Sequence, residues 1–173
     1  AHLTCAFEAE FFGHWWFEGT TFLESVFHHA HEEAEMIRLE TPLVYMGAEP
    51  VHQLATPNIS SWGAGGYFDM WLNSETAWLY RYLHNAEIRM RELVDEHPEA
   101  NGATARALRQ AGRELILAQA SDWTFIIRSG NSQHYAIDRV EEHISNFQQL
   151  ATAIEEEEID EAFLEDLETR HMI

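Results

Sequence analysis

The sequence predicts a mainly α-helical chain, with a bundle of long helices in its carboxy-terminal part and a strand-then-helix piece ahead of it. Two observations predict the bundle. Leu79, Leu83, Ala86, Met90 and Leu93 recur at steps of three and four, and so do Ile137, Val140, Ile144, Phe147, Ala151 and Ile154, the spacing that lines one face of an α-helix. A third predicts the strand: Leu3 to Ala9 is a short, largely apolar run, with Gly13 marking a turn after it.

In chain order, Thr20 and Thr21 cap a helix that carries Phe22, Leu23, Val26, Phe27 and Ala30 on one face, like a helix packed on a sheet. Met36 to Leu39 reads as a second short strand. Thr41-Pro42 starts a short helix by the cap-then-proline rule, and Gly47 ends it. From Glu49 to Gly66 the chain reads as loop, with Pro50, Pro57 and three glycines. The first bundle helix closes at His97-Pro98. A second runs from about Ala103 to Gln119 with Leu108, Ala111, Leu115 and Ala118 inward, and a third starts near Ser132. The acidic segment Glu155 to Arg170 keeps Ile159, Phe163, Leu164 and Leu167 on one side and docks as a short helix. No internal repeat is visible.

Composition narrows the function classes. Among 173 residues, 30 acidic against 10 basic give a net charge of −20, a field that repels a phosphate backbone and argues against nucleic acid as a partner. A neutral polymer is neither attracted nor repelled. Every basic residue is arginine, which fits salt adaptation, acid tolerance or a coding bias. Cys5 stands alone, so there is no disulfide framework and no cysteine-based zinc site, as a cytoplasmic protein would show. No apolar stretch approaches the roughly 18 residues a membrane span needs, and the first residues lack the basic start of a signal peptide. Starting on an apparent strand without Met and stopping at His171-Met172-Ile173, the chain reads as a piece of something longer.

One run is too particular to be only structural: Ala6-Phe7-Glu8-Ala9-Glu10-Phe11-Phe12-Gly13-His14-Trp15-Trp16-Phe17-Glu18-Gly19. It resembles the segment of glycoside hydrolase family 57 in which an acidic residue ending a barrel strand precedes Glu, Phe-Gly-His-Trp-Trp and Glu-Gly. Ser60-Ser61-Trp62-Gly63-Ala64-Gly65-Gly66-Tyr67 and Trp71-Leu72-Asn73 resemble the aromatic loop of that family's branching enzymes. Ala77-Trp78-Leu79-Tyr80, Ala120-Ser121-Asp122-Trp123-Thr124-Phe125, Tyr135-Ala136 and Phe163-Leu164-Glu165 are similar to later landmarks, in the same order. The resemblance implies residues 1–48 as the last strand and helix of a (β/α)7-type catalytic barrel, 49–74 as a glycine-rich substrate loop, and 75–173 as a carboxy-terminal helical domain.

It also implies an activity. Retaining α-glucan chemistry uses two carboxyl groups about 5 to 5.5 Å apart, a nucleophile and an acid/base. The resemblance assigns the acid/base to Glu8 and the nucleophile to an earlier barrel strand outside these residues. The family usually has aspartate where Glu8 stands, so this side chain reaches one methylene farther. Glu10 competes for the role, since alternate strand positions share a face. His14 and Trp15 are expected at the sugar, with one of Trp15 and Trp16 serving the core instead. Trp62 and Trp71 are expected to stack on glucan, against the alternative that they staple the loop to the bundle. Asp122 either faces sugar hydroxyls or caps a helix. The implied substrate is an α-1,4-glucan, the partner the missing barrel, and no cofactor is called for. Branching ranks first, ahead of 4-α-glucanotransferase, α-amylase, or a non-catalytic carbohydrate-binding module.

A metal reading of His28-His29-Ala30-His31-Glu32-Glu33 is weighed and set aside, because His/Glu pairs four apart are common on solvated helices. A di-iron site needs two Glu-x-x-His motifs on separate helices, and within the expected helices only Glu168 to His171 has that spacing. The expectation is therefore no metal.

Overall fold

The computed structural model describes residues 3–49 and 51–172 and divides into two compact units, Ala1–Pro57 and Asn58–Ile173. Seven α-helices are present among the described residues: α1 Gly19–Glu32, α2 Pro42–Ala48, α3 Ala77–Glu96, α4 Gly102–Ala118, α5 Asp122–Ser129, α6 Gln133–Glu155 and α7 Glu161–Arg170.

In the first unit both expected strands are absent. Residues 3–8 are irregular, and 37–40 run as coil after a turn. A barrel strand draws its backbone partners from neighbouring strands, and with none among the described residues Leu3 and Phe7 remain exposed. A π-helical turn, Phe11–Trp15, follows instead. It folds the aromatic run on itself: Trp16 packs on Phe11, Phe12 and Phe22 at centroid distances of 5.6, 5.8 and 4.7 Å. Gly19 is buried against this turn, where a Cβ would sit 2.8 Å from the Phe12 carbonyl oxygen. Thr41 caps α2 as its sequence suggests, its hydroxyl accepting from the Val44 amide at 3.4 Å.

The second unit holds the core. Leu79, Leu83, Ala86 and Leu93 of α3, Ala111, Leu115 and Ala118 of α4, and Val140, Ile144, Phe147, Ala151 and Ile154 of α6 are all buried, so the apolar period does become the helix seam. Helix α6 is the central element, packed on α3, α4 and α5. Two apolar clusters lie along it. One joins α3, α4, α6 and α7 around Phe147 and Leu150; the other joins α3, α4, α5 and α6 around Leu79, Ile127 and Val140. Each fully buried large side chain contributes about 1.5 to 3 kcal/mol of transfer free energy.

Helix α5 was not anticipated. Ser121-Asp122 reads as the end of the preceding helix, whereas it opens a new one of 8 residues, closed by Gly130 at φ 81°. The acidic tail coils only from Glu161, with the Asp160 carboxylate accepting from the Ala162 and Phe163 amides at 3.0 and 3.1 Å. Paired arginine–carboxylate contacts tie the helices: Arg89 on α3 to Glu155 on α6, and Arg106 on α4 to Glu168 on α7.

Candidate functional site

Glu8, His14 and Trp15 belong to the first unit. Glu8 is exposed on irregular chain, and its carbonyl accepts from the Phe11 amide at 3.2 Å. Strand alternation therefore does not relate it to Glu10, which opens the helical turn and faces His14 one turn on, at 3.9 Å. Trp15 is 75% exposed while Trp16 is half-buried in the aromatic cluster. Of the two indoles, Trp16 is thus the one that fills the unit's interior.

Trp62, Trp71 and Asp122 belong to the second unit, and the loop that carries the tryptophans is tightly built. The Ser61 amide donates to the Gly66 carbonyl at 2.8 Å, and the Ser61 hydroxyl accepts from the Phe68 amide at 2.7 Å. Asn73 brackets the next turn: its amide nitrogen donates to the Asp69 carbonyl at 2.7 Å, and its oxygen accepts from the Glu75 and Thr76 amides. Trp71 is fixed through its own carbonyl, which accepts from the Thr76 hydroxyl and the Tyr80 hydroxyl, both at 2.9 Å. Burial raises the Tyr80 pKa above its ordinary value, so the hydroxyl keeps the proton it donates.

The result is a pair of indoles 6.2 Å apart. Trp62 is 55% exposed and Trp71 is half-buried. Phe125 of α5 lies 5.8 Å from Trp62 and 6.5 Å from Trp71, so each of the three rings adjoins the other two. Asp122 stands exposed in the first turn of α5, three residues before Phe125 and hence on the same side of the helix. The N-cap residue Ser121 makes no side-chain cap.

Sequence reasoning missed a second polar constellation. Glu114 of α4 is fully buried, and its carboxylate accepts from His143 Nδ1 at 2.8 Å, His171 Nδ1 at 2.7 Å, Gln110 at 2.9 Å and Asn146 at 3.2 Å. Burial alone would push its pKa up. The hydrogen bonds from His143, His171, Gln110 and Asn146 together outweigh that and hold it at about 2.

Atoms of Glu114, His143 and His171 that could serve as metal ligands lie within 4.8 Å of one another. The hydrogen-bond directions speak otherwise. A guanidinium can only donate, and Arg139 lies 3.0 Å from His143 Nε2, so that nitrogen accepts and the proton sits on Nδ1, aimed at Glu114. The lone pair a cation needs is thereby absent at Nδ1. The cluster is a buried carboxylate with four donors, joining α4, α6 and the residue after α7. The two residues of the Glu168-x-x-His171 spacing go separate ways, Glu168 to Arg106 and His171 to Glu114. Only registry between helices, 29 and 57 residues apart in sequence, brings the set together.

Among the described residues, no helix is long and apolar enough to cross a membrane. Residues 82–173 match the family model described as "1,4-alpha-glucan branching enzyme, C-terminal". The chain is 34% identical over 97% of its length to the 1,4-alpha-glucan branching enzyme TK1436 of Thermococcus kodakarensis, spanning 25% of that protein. It is similar to the crystal structure of TK1436, titled a GH57 branching enzyme (TM-score 0.84, 32% identity, 96% of this chain and 31% of that one). It is also similar to a GH57-type branching enzyme from Pyrococcus horikoshii (0.85, 33%, 96% and 32%) and to the alpha-amylase AmyC from Thermotoga maritima (0.74, 37%, 94% and 30%). The chain thus spans about a quarter to a third of the length of these relatives. With its helical architecture, the chain belongs to the branching-enzyme group of glycoside hydrolase family 57, and its residues 82–173 correspond to the carboxy-terminal domain of that group.

Proposed function

We propose that the protein is a retaining 1,4-α-glucan branching enzyme, in which residues 1–48 end the catalytic barrel, 49–74 form the substrate loop and 75–173 the helical domain. The observation that carries this reading is the exposed Trp62 ring beside Trp71, on a loop stiffened by Ser61, Asn73 and Thr76, within a chain of this family. Indole faces stack on the apolar faces of pyranose rings, and a pre-ordered loop avoids the entropy cost of arranging them.

The chemistry follows from the reaction class. A carboxylate from the barrel bonds to the anomeric carbon while the bond from that carbon to the departing chain oxygen breaks and Glu8 gives that oxygen its proton. An acceptor 6-hydroxyl then attacks the anomeric carbon, Glu8 takes the hydroxyl proton, and the bond to the nucleophile breaks. His14 and Trp15 contact the sugar near Glu8, while Trp62, Trp71 and Asp122 hold a glucan segment. The reaction serves glycogen-like polymer synthesis in the cytoplasm.

The 37% identity to an alpha-amylase supports hydrolysis as a second reading, since the same intermediate is consumed by water. Glu8→Gln in the protein as its gene encodes it tests the assignment. Loss of turnover on amylose of at least a hundredfold, with unchanged folding, is the expected result. Unchanged turnover removes Glu8 from the mechanism, and loss on Glu10→Gln instead transfers the role to Glu10.

A further inference from the structure

We propose that Phe125 is a third glucan-stacking residue of this surface and that the Asp69–Arg128 pair positions it against the tryptophan loop. The inference rests on the proposed glucan-binding role of Trp62 and Trp71.

Phe125 is the ring nearest Trp62, at 5.8 Å, and it is 37% exposed although it sits on a helix packed into the core. A phenyl ring on α5 gains nothing by facing solvent; Ile127, two residues on, takes the buried position. Trp62 and Phe125 are the more exposed of the three rings, and the half-buried Trp71 adjoins both. The planes are inclined by 43° between the indoles, 52° between Trp62 and Phe125, and 36° between Trp71 and Phe125. An α-1,4 chain turns between successive residues and can offer a face to each. Asp122, one turn before Phe125, supplies a carboxylate for the hydroxyls at the edge.

Two features hold loop and helix in register. Arg128 donates from Nε to Asp69 at 2.9 Å and lies one turn beyond Phe125. Asp69 in turn follows Phe68, whose backbone is left-handed at φ 67°, a conformation rarely taken by an aromatic residue. Phe68 is held there by the Ser61 hydroxyl on its amide and by the Trp71 and Leu72 amides on its carbonyl, both at 2.8 Å. Strain kept in place by several bonds marks a segment whose shape is used.

The test is made on the protein as its gene encodes it, by steady-state kinetics on amylose and by quenching of tryptophan fluorescence with maltoheptaose. Phe125→Leu keeps the apolar bulk and loses the ring; it should raise the KM for amylose about three- to tenfold with kcat little changed. Phe125→Tyr should restore it. Asp69→Asn and Arg128→Met should each raise KM about twofold, and the exchanged pair Asp69→Arg with Arg128→Asp should recover part of the loss. A KM unchanged in Phe125→Leu overturns the inference. Quenching by maltoheptaose without any transfer of glucan chains would instead sink the proposed activity and leave this surface standing.

Discussion

His143 Nδ1 of α6 lies 2.8 Å from Glu114 Oε2 of α4, with both side chains fully buried. This contact places an ionised group at the centre of the helical bundle, and His171 brings the residue after α7 to the same carboxylate.

The pH dependence of stability follows. The Glu114 pKa is lowered from 4.5 to about 2 on folding, so its contribution is present above about 4.5 and is lost as pH falls through about 2. It is on the order of 3 kcal/mol. Urea midpoints at pH 7, 4 and 2.5 should fall across that acid window, and Glu114→Gln, less stable at pH 7, should show a flatter profile.

Removing a donor should also be felt. His171→Ala leaves Glu114 Oε1 with Gln110 alone, at a cost of about 1 to 3 kcal/mol. Because His171 lies at the end of α7, hydrogen exchange should accelerate first in that helix.

Core packing gives a sharper contrast. Phe147 is 1% exposed and Ile116 is 60% exposed. Phe147→Ala should cost about 3 to 5 kcal/mol, and Ile116→Ala within about 0.5 kcal/mol of nothing, read by denaturant midpoints.

The aromatic loop has its own sensitive position. Gly63 has φ 102°, and a Cβ there would meet the Met70 Cγ at 2.5 Å, whereas at Gly65, φ 77°, nothing lies within 4 Å. Gly63→Ala should therefore weaken glucan binding markedly with the bundle intact, and Gly65→Ala should cost only the backbone strain of about 1 kcal/mol. Isothermal titration with maltoheptaose, beside the thermal midpoint, separates the two.

The bundle was legible because α3, α4 and α6 are long enough for their apolar stripes to repeat several times, and those stripes became the buried seam. Helix α5 was not, since 8 residues span barely two turns and Ser121-Asp122 suits a helix end as well as a start. The expected strand at Leu3–Ala9 failed for a different reason: an apolar run shows what a segment would bury, not whether partner strands are present to bond it. In the candidate site, Trp62 and Trp71 stood out by their glycine-rich surroundings, while Phe125 lies in a segment where no helix was expected. Glu114, His143 and His171 carry no local pattern at all, because their meeting depends on how three helices register against one another.

The most direct measurement is a proton spectrum of amylose after incubation with the protein as its gene encodes it, counting new α-1,6 linkages against new reducing ends. New linkages without a matching rise in reducing ends are the predicted result, and Trp62→Ala should shift the ratio toward reducing ends. Reducing ends alone, with no α-1,6 signal, would contradict the account and leave the protein a hydrolase.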